Sequence, residues 1–503
     1  MKKLLLLPLL VFLPFILFSE AYKIKNAEYD IQGAGFKFMG KTREYPLKRY
    51  YPLDTKKTFE SREALENYIK NYRQSLESSR YFDEITITYE AVQSETENLY
   101  DVVLLIALQD THHLIIMPYP KYSSNSGLSL KIKAKDTNFF GSLNTMNADF
   151  NMSYNDKTFK PGFNFNFNYP FNIGPFDASF VNDYTLNYAI TDDYHGFEWD
   201  TETGIDVSLP FNRFSLSMGF SQFTHRNFSY KEYGDEIYFS ERFNLGFPVT
   251  IATLSNFTTI TYSPSAGITW NWDFDGINPE NDSLSGPEVS FSHSLSNGKI
   301  TWNNNFRKGY KLSISNSYNY NIQRQDVVPS VNFKGQYFWN YEANDGDIWN
   351  RFGICSNLYV FHYFDLPTNT YKYGSAIGDY LRGILDNSYF GNDKPYGTAS
   401  TGIVLNLDLP HNVFTAYFPK EILNFNLQFS PFFDMALVYD RNKDRYFNFE
   451  DGYYCAGFEF LVFPLKWSSI TVRASLGVDL SKNIFVEGLK NNKEIFIGIG
   501  LQY

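Results

Sequence analysis

The chain has 503 residues, a formal net charge of -11, a mean hydropathy of -0.34 and 19% aromatic residues, 49 of them Phe and 39 Tyr. The acidic balance excludes a phosphate-binding face of the kind nucleic acid needs. Beyond the first twenty residues no stretch approaches the roughly 20 consecutive apolar residues of a membrane-spanning helix, so helical spans are excluded as well.

The chain opens with "MKKLLLLPLLVFLPFILFSEAYK". Lys2 and Lys3 precede an apolar core that runs to about Phe18, and Ser19-Glu20-Ala21 forms a small-x-small cleavage pattern. This predicts a removed secretory signal over 1–21, with an uncleaved anchor as the alternative. Either way the chain leaves the cytoplasm.

A mixed pattern follows over 22–112. The stretch "YKIKNAEYDIQG" predicts a strand. In "SREALENYIKNYRQSL", Leu65, Tyr68, Ile69, Tyr72 and Leu76 recur at spacings of three and four, behind Ser61 as N-cap and Glu63 in the first turn. That spacing predicts an amphipathic helix. Two further strands, "DEITITYE" and "YDVVLLIALQD", complete a small α+β module.

From 113 to 503 the period becomes two. Met146, Ala148, Phe150, Met152 and Tyr154 alternate with Asn147, Asp149, Asn151 and Ser153. In "PGFNFNFNYPF", Phe163, Phe165, Phe167 and Tyr169 are separated by Asn164, Asn166 and Asn168. "AGITWNWDFD", "GIVLNLDL" and "ILNFNLQF" repeat the scheme, divided by polar clusters such as "FDGINPENDSLSG". Asparagine is depleted in ordinary strands, so its use as a whole face needs a reason. A sandwich hides its apolar faces, whereas a membrane barrel turns them to lipid and keeps polar residues in a wet lumen. The length of the alternating region and its aromatic richness favour the barrel. The fold class predicted is mainly β, a transmembrane antiparallel β-barrel of about sixteen strands behind one small α+β domain. Lipid admits no open sheet edge, so the barrel should close.

Enzyme chemistry finds little support. The seven histidines show no metal-ligand spacing, and no Walker loop, dinucleotide fingerprint or nucleophile elbow occurs. His293 between Ser292 and Ser294 is the one tempting nucleophile–base pair, and a wall residue is the stronger reading. No enzyme, cofactor or metal is expected. Cys355 and Cys455 are the two cysteines, leaving room for one bridge and no disulfide framework.

Several motifs together resemble the BamA, TamA and FhaC superfamily of outer-membrane proteins. The module over 22–112 resembles a POTRA domain, and "NFFGSLNTM" from Asn138 resembles the first barrel hairpin of that family. The tetrapeptide Leu381-Arg382-Gly383-Ile384 is similar to the family's loop motif of Val or Ile, Arg, Gly and an aromatic. The resemblance implies that Arg382 reaches into the lumen and pairs with Asp408 in "LNLDLP" and Asp434 in "FFDMALVYD", the latter with Ala436 where the family has glycine. An always-charged guanidinium can satisfy two carboxylates at once. The ending "FIGIGLQY", with Gly498, Leu501 and Tyr503, resembles the C-terminal insertion signal of such barrels, with Phe496 at the usually polar first position.

What this implies is a bacterial outer-membrane protein with its N-terminal domain in the periplasm, acting in assembly, insertion or translocation of other proteins. Its partners would be outer-membrane lipids, unfolded or exported clients taken through the POTRA sheet edge, and periplasmic or lipoprotein partners. The alternative is a passive, porin-like channel or surface antigen.

Overall fold

The computed structural model describes residues 20–34, 40–96, 98–123, 127–155, 158–190, 194–255, 258–341, 351–364, 377–383, 399–440, 444–480 and 493–501. The cleavage region before Glu20, Ile384 and Tyr503 lie outside them.

The N-terminal module combines β1 (Ala21–Gln32), α1 (Glu44–Tyr50), β2 (Thr58–Phe59), α2 (Arg62–Ser79), β3 (Phe82–Gln93) and β4 (Leu99–Asp110). Its sheet has the order β2-β1-β4-β3, with β1 parallel to β4 and β3 antiparallel to it. The helix expected from the three-and-four spacing is α2. Ser61 Oγ accepts the Ala64 amide at 3.1 Å, and Leu65, Tyr68, Tyr72 and Leu76 are buried. Each of these burials contributes about 1.5–3 kcal/mol, far more than the cap at about 1 kcal/mol. Helix α1 was not foreseen, because its seven residues carry little periodicity; Pro46 sits in its first turn, where a missing N–H costs nothing.

A second, larger sheet follows in which each strand is antiparallel to its neighbour. Its segments are β5 (Leu114–Ser123), β6 (Gly127–Asp136), β7 (Met146–Asn155), β8 (Thr158–Ile173), β9 (Phe176–Ile190), β10 (His195–Pro210) and β11 (Ser215–Arg226). They continue as β12 (Ile237–Gly246), β13 (Val249–Ser255), β14 (Thr258–Trp272), β15 (Glu288–Asn303), β16 (Phe306–Asn321), β17 (Asp326–Tyr341) and β18 (Phe352–Tyr363). The last are β19 (Thr401–Asp408), β20 (His411–Ala416), β21 (Phe425–Asp440), β22 (Arg445–Tyr446), β23 (Tyr453–Pro464), β24 (Val472–Asp479) and β25 (Lys493–Ile499). The order closes on itself, with β25 beside β5. Segment β13 continues β12, β20 continues β19, and β22 is a short piece paired with the tip of β21. That leaves eighteen staves among the described residues rather than sixteen. The excess arises because many turns are shorter than expected, as at Gly174-Pro175 and Asn304-Asn305.

The alternation resolves into two faces. Phe163, Phe220 and Ile314 are 41%, 43% and 48% exposed on the outside, while Ser221 and Ser330 are buried on the inside. In "PGFNFNFNYPF" the rings make an outer ladder, with Phe165 and Tyr184 stacked at 6.4 Å and Phe167 against Phe180 at 6.4 Å. On the opposite face Asn147 Nδ2 donates to Asn166 Oδ1 at 3.0 Å. Cys355 and Cys455 are free and buried. They lie on β18 and β23, three strand steps apart, or about 14 Å, twice the reach of a disulfide.

Candidate functional site: the Arg382 lock in the lumen

Inward-facing positions on β19, β21 and β23 place Asp408, Asp434 and Glu459 on the barrel's inner surface, where Asp434 lies opposite Asn406 and Cys455. Asp434 is fully buried and Glu459 is 3% exposed. Three carboxylates withdrawn from water need a cation. It comes from the loop before β19.

Residues 377–380 of that loop form a 3-10 turn, and Leu381, Arg382 and Gly383 follow inside the barrel. Arg382 engages Asp434 through both sides of its fork, Nε to Oδ2 at 3.0 Å and Nη2 to Oδ1 at 2.7 Å, and its backbone N–H adds a third bond at 2.9 Å. Nη1 reaches Asp408 at 2.5 Å and Glu459 at 3.2 Å. The guanidinium lies 3.7 Å from the ring centre of Phe432, a cation–π contact with solvent excluded.

Neighbouring groups fix this arrangement. Asn406 Nδ2 donates to Asp434 Oδ1 at 2.9 Å and to the Tyr380 carbonyl at 2.6 Å, and its own Oδ1 accepts from Asn357 at 3.0 Å. Arg473 on β24 donates to Glu459 at 3.1 Å while resting 4.0 Å from the Phe496 ring centre. Leu381 packs with Tyr359, Phe361, Ile377, Val404, Ala436 and Cys455. Ala436, at the position where the family motif has glycine, is therefore part of the loop's seat.

Gly383 explains why glycine must follow the arginine. Its φ is +105°, and an added Cβ would stand 2.7 Å from the Val478 nitrogen and 2.8 Å from the Gly477 carbonyl carbon. Only a glycine lets the loop cross the β24 backbone this closely. Its N–H donates to Glu494 on β25 at 3.1 Å, so the loop tip also touches the closing strand.

The structure thus brings Leu381, Arg382, Gly383, Asp408 and Asp434 together. Sequence reasoning missed Glu459, Arg473 and Asn406. A signal for Glu459 was present, since it is the lone charge in the apolar strand "AGFEFLVF". Of the C-terminal residues, Gly498 is buried opposite Arg473, and Leu501 lines a small lumenal cavity with Trp302, Cys355 and Phe463.

His293 faces outward between the rings of Tyr262 and Phe291, while the neighbouring Ser292 hydrogen-bonds Ser265 at 2.7 Å. A closer approach to a hydrolytic arrangement is His225, 3.1 Å from Ser240 and 3.4 Å from Asp200. There the Ser240 hydroxyl donates to Asn271 Oδ1 at 2.6 Å, and Asn271 is held in that orientation by the Leu284 carbonyl. Its proton is committed away from the imidazole, so the trio lacks the nucleophile–base bond of a triad.

Fold and site together define a large closed β-barrel whose inner wall holds residues 377–383 through Arg382. No protein-family model and no curated relative matches the chain. Among solved structures it is similar to CdiB from Acinetobacter baumannii, with 13% identity over 95% of this chain and 74% of that one, at a TM-score of 0.48. It is similar also to CdiB from Escherichia coli, with 10% identity over 92% and 73% and a TM-score of 0.43. BamA from Haemophilus ducreyi, lacking POTRA domains 1–3, follows at 12% identity over 95% and 84%, with a TM-score of 0.33.

Proposed function

We propose that this chain is an outer-membrane β-barrel of the BamA, TamA and FhaC superfamily, carrying one POTRA-like periplasmic domain over 22–112, and that it inserts or translocates other proteins. The observation that carries this reading is the lock: a loop returned into the lumen and held by Arg382 against Asp408 and Asp434. The outward rings and aliphatic side chains suit lipid, and the Asn- and Ser-rich inner face suits water.

The N-terminal sheet offers the point of capture. Strand β3 is twelve residues long and lies at the sheet's edge. An extended client pairs there through main-chain hydrogen bonds, with side-chain identity secondary, which suits many different clients. It would then pass to the barrel closure between β25 and β5. Periplasmic or lipoprotein partners would bind the same module.

Depletion of the protein in its native host, followed by quantitation of outer-membrane and secreted proteins before growth fails, tests this reading. Selective loss of particular barrels or exported proteins is expected. An unchanged inventory with altered uptake of small solutes would overturn it in favour of a passive channel.

A further inference from the structure

The outward face of the barrel carries a polar patch where the alternation calls for apolar side chains. Across four neighbouring strands the register sets Asn182 of β9 beside Thr203 of β10, Thr203 beside Gln222 of β11, and Gln222 beside Glu241 of β12. The row two residues nearer the N-terminal module reads Phe180, Ile205, Phe220, Phe243 and Ile268, with the three phenylalanines exposed. Residues two apart on a strand share a face, so the polar row points outward as well.

The row is bonded into one unit. The Tyr184 hydroxyl donates to Asn182 Oδ1 at 2.8 Å and lies 3.1 Å from Thr203 Oγ1. Gln222 Nε2 donates to Glu241 Oε1 at 3.3 Å, and the Trp272 indole donates to the same oxygen at 2.5 Å. Among the described residues, Asn182 Nδ2 and Glu241 Oε2 have no partner, although the two residues are only 2% and 9% exposed. An unpaired polar group beside hydrocarbon is strongly unfavourable, and an ionisable side chain on such a wall marks a site that takes a partner.

Toward the far rim the patch continues. Thr201 and Thr224 stand opposite one another above Thr203 and Gln222, and Trp199 stands opposite Arg226 above those. Arg226 lies 5.3 Å from the ring centre of Trp199 and 4.9 Å from that of Phe228, its pairing with Glu236 is long at 3.7 Å, and its Nε has no partner among the described residues. Four residues of β11 separate Gln222 from Arg226, about 13 Å along the strand and, at the tilt of a membrane barrel, about 10 Å in depth.

That depth lies beneath a phosphate headgroup seated at Arg226. A glycerophospholipid offers only hydrocarbon there, whereas a lipid with amide-linked, hydroxylated acyl chains offers N–H and O–H donors. We propose that the outer face of β9–β12 binds an anionic glycolipid of that kind, with its phosphate on Arg226 and its chain amide and hydroxyl on Gln222 and Thr203. Gln222 suits this role because Glu241 engages its Nε2 and so turns its Oε1 toward an incoming donor. Thr203 is exposed, and its hydroxyl can accept beside Tyr184. The proposal rests on the reading of this wall as lipid-facing and is independent of what the barrel transports.

Native mass spectrometry of the full-length folded protein released from detergent micelles tests it, with lipid A and phosphatidylglycerol as probes at equal concentration. Lipid A carries phosphate, chain amides and chain hydroxyls, whereas phosphatidylglycerol shares only the phosphate. The wild type should hold one lipid A about tenfold more tightly than phosphatidylglycerol, the worth of two added hydrogen bonds. Thr203→Val combined with Gln222→Leu should abolish that preference, and Arg226→Gln should weaken both lipids. Equal affinity of the wild type for the two lipids would overturn the proposal, as would an unchanged preference in the double variant. Should the double variant not fold, Thr203→Val alone must reduce the preference, and no reduction would overturn the proposal. Failure of the wild type to bind either lipid would overturn the lipid-facing reading of the wall, and the proposal with it.

Discussion

The barrel's two parts solve the problem of a polar interior differently. From β7 to β17 the inner face is stitched mostly by short neutral pairs between adjacent strands, such as Asn147–Asn166, Ser265–Ser292 at 2.7 Å and Ser317–Ser330 at 2.6 Å, and the buried Glu241, which the register turns outward, takes neutral donors, Gln222 and Trp272. From β18 to β25 the inner face carries buried carboxylates, and their cations come from Arg473 on the wall and from Arg382 on the connection before β19. Neutral pairs need no outside partner and tolerate water. Buried charges require a partner to be delivered, and that requirement fixes the place of residues 377–383. Charge thus specifies structure here where hydrogen-bonding capacity alone would leave freedom.

The sharpest way to break this contrast is to remove the acceptor at its centre. Asp434→Ala deprives Arg382 of three bonds and Asn406 of one, and leaves a buried guanidinium without its bidentate partner. A loss of about 3–5 kcal/mol is expected, read as a lower unfolding midpoint of the folded barrel. A smaller effect is expected of Glu459→Gln, which keeps the shape but removes the charge shared by Arg382 and Arg473. About 1–3 kcal/mol should be lost. If Glu459→Gln were as damaging as Asp434→Ala, the network would have no centre.

The other part provides the control. Asn166→Ala removes one neutral bond in a wet face and should cost no more than about 1 kcal/mol. A loss equal to that of Asp434→Ala would erase the distinction between the two parts.

The smallest effect concerns the rim that meets the N-terminal module. Burial, aided by Lys466, pushes the His112 imidazole below its ordinary value, while Asp83 pulls the other way. A histidine depressed in the folded state contributes stability above its unfolded value near 6.5 and loses it as pH falls through the lower folded value. Protection of Thr111–Leu114 should therefore weaken below about pH 6.5 in the wild type and stay flat in His112→Gln.

Much of this was legible in the sequence because period two and spacings of three and four reflect geometry directly. Alternation alone assigns Phe163 to Tyr169 to one face, and α2 was marked by Ser61 and its apolar stripe. Arg382, Asp408 and Asp434 were found through resemblance, since nothing in local periodicity says that a loop will fold back into a lumen. Glu459 and Arg473 stayed hidden for a related reason: their partners lie on other strands, and register across strands is not written in any one of them. Asp200, His225 and Ser240 were overlooked on the same ground, being brought together across three strands. The count of eighteen staves lies two above the sixteen expected, because turn length varies more than strand length.

The loop's position can be read from the protein's own thiols. Cys455 is fully buried in the same apolar cluster as Leu381. A water-soluble maleimide applied to the folded barrel, with labelling followed by peptide mass, therefore reports directly on the lock. Wild-type Cys455 should be protected, and Arg382→Ala should react at least tenfold faster while the barrel remains folded. Equal rates in the two proteins would show that the loop is held by something other than Arg382, and would contradict the account.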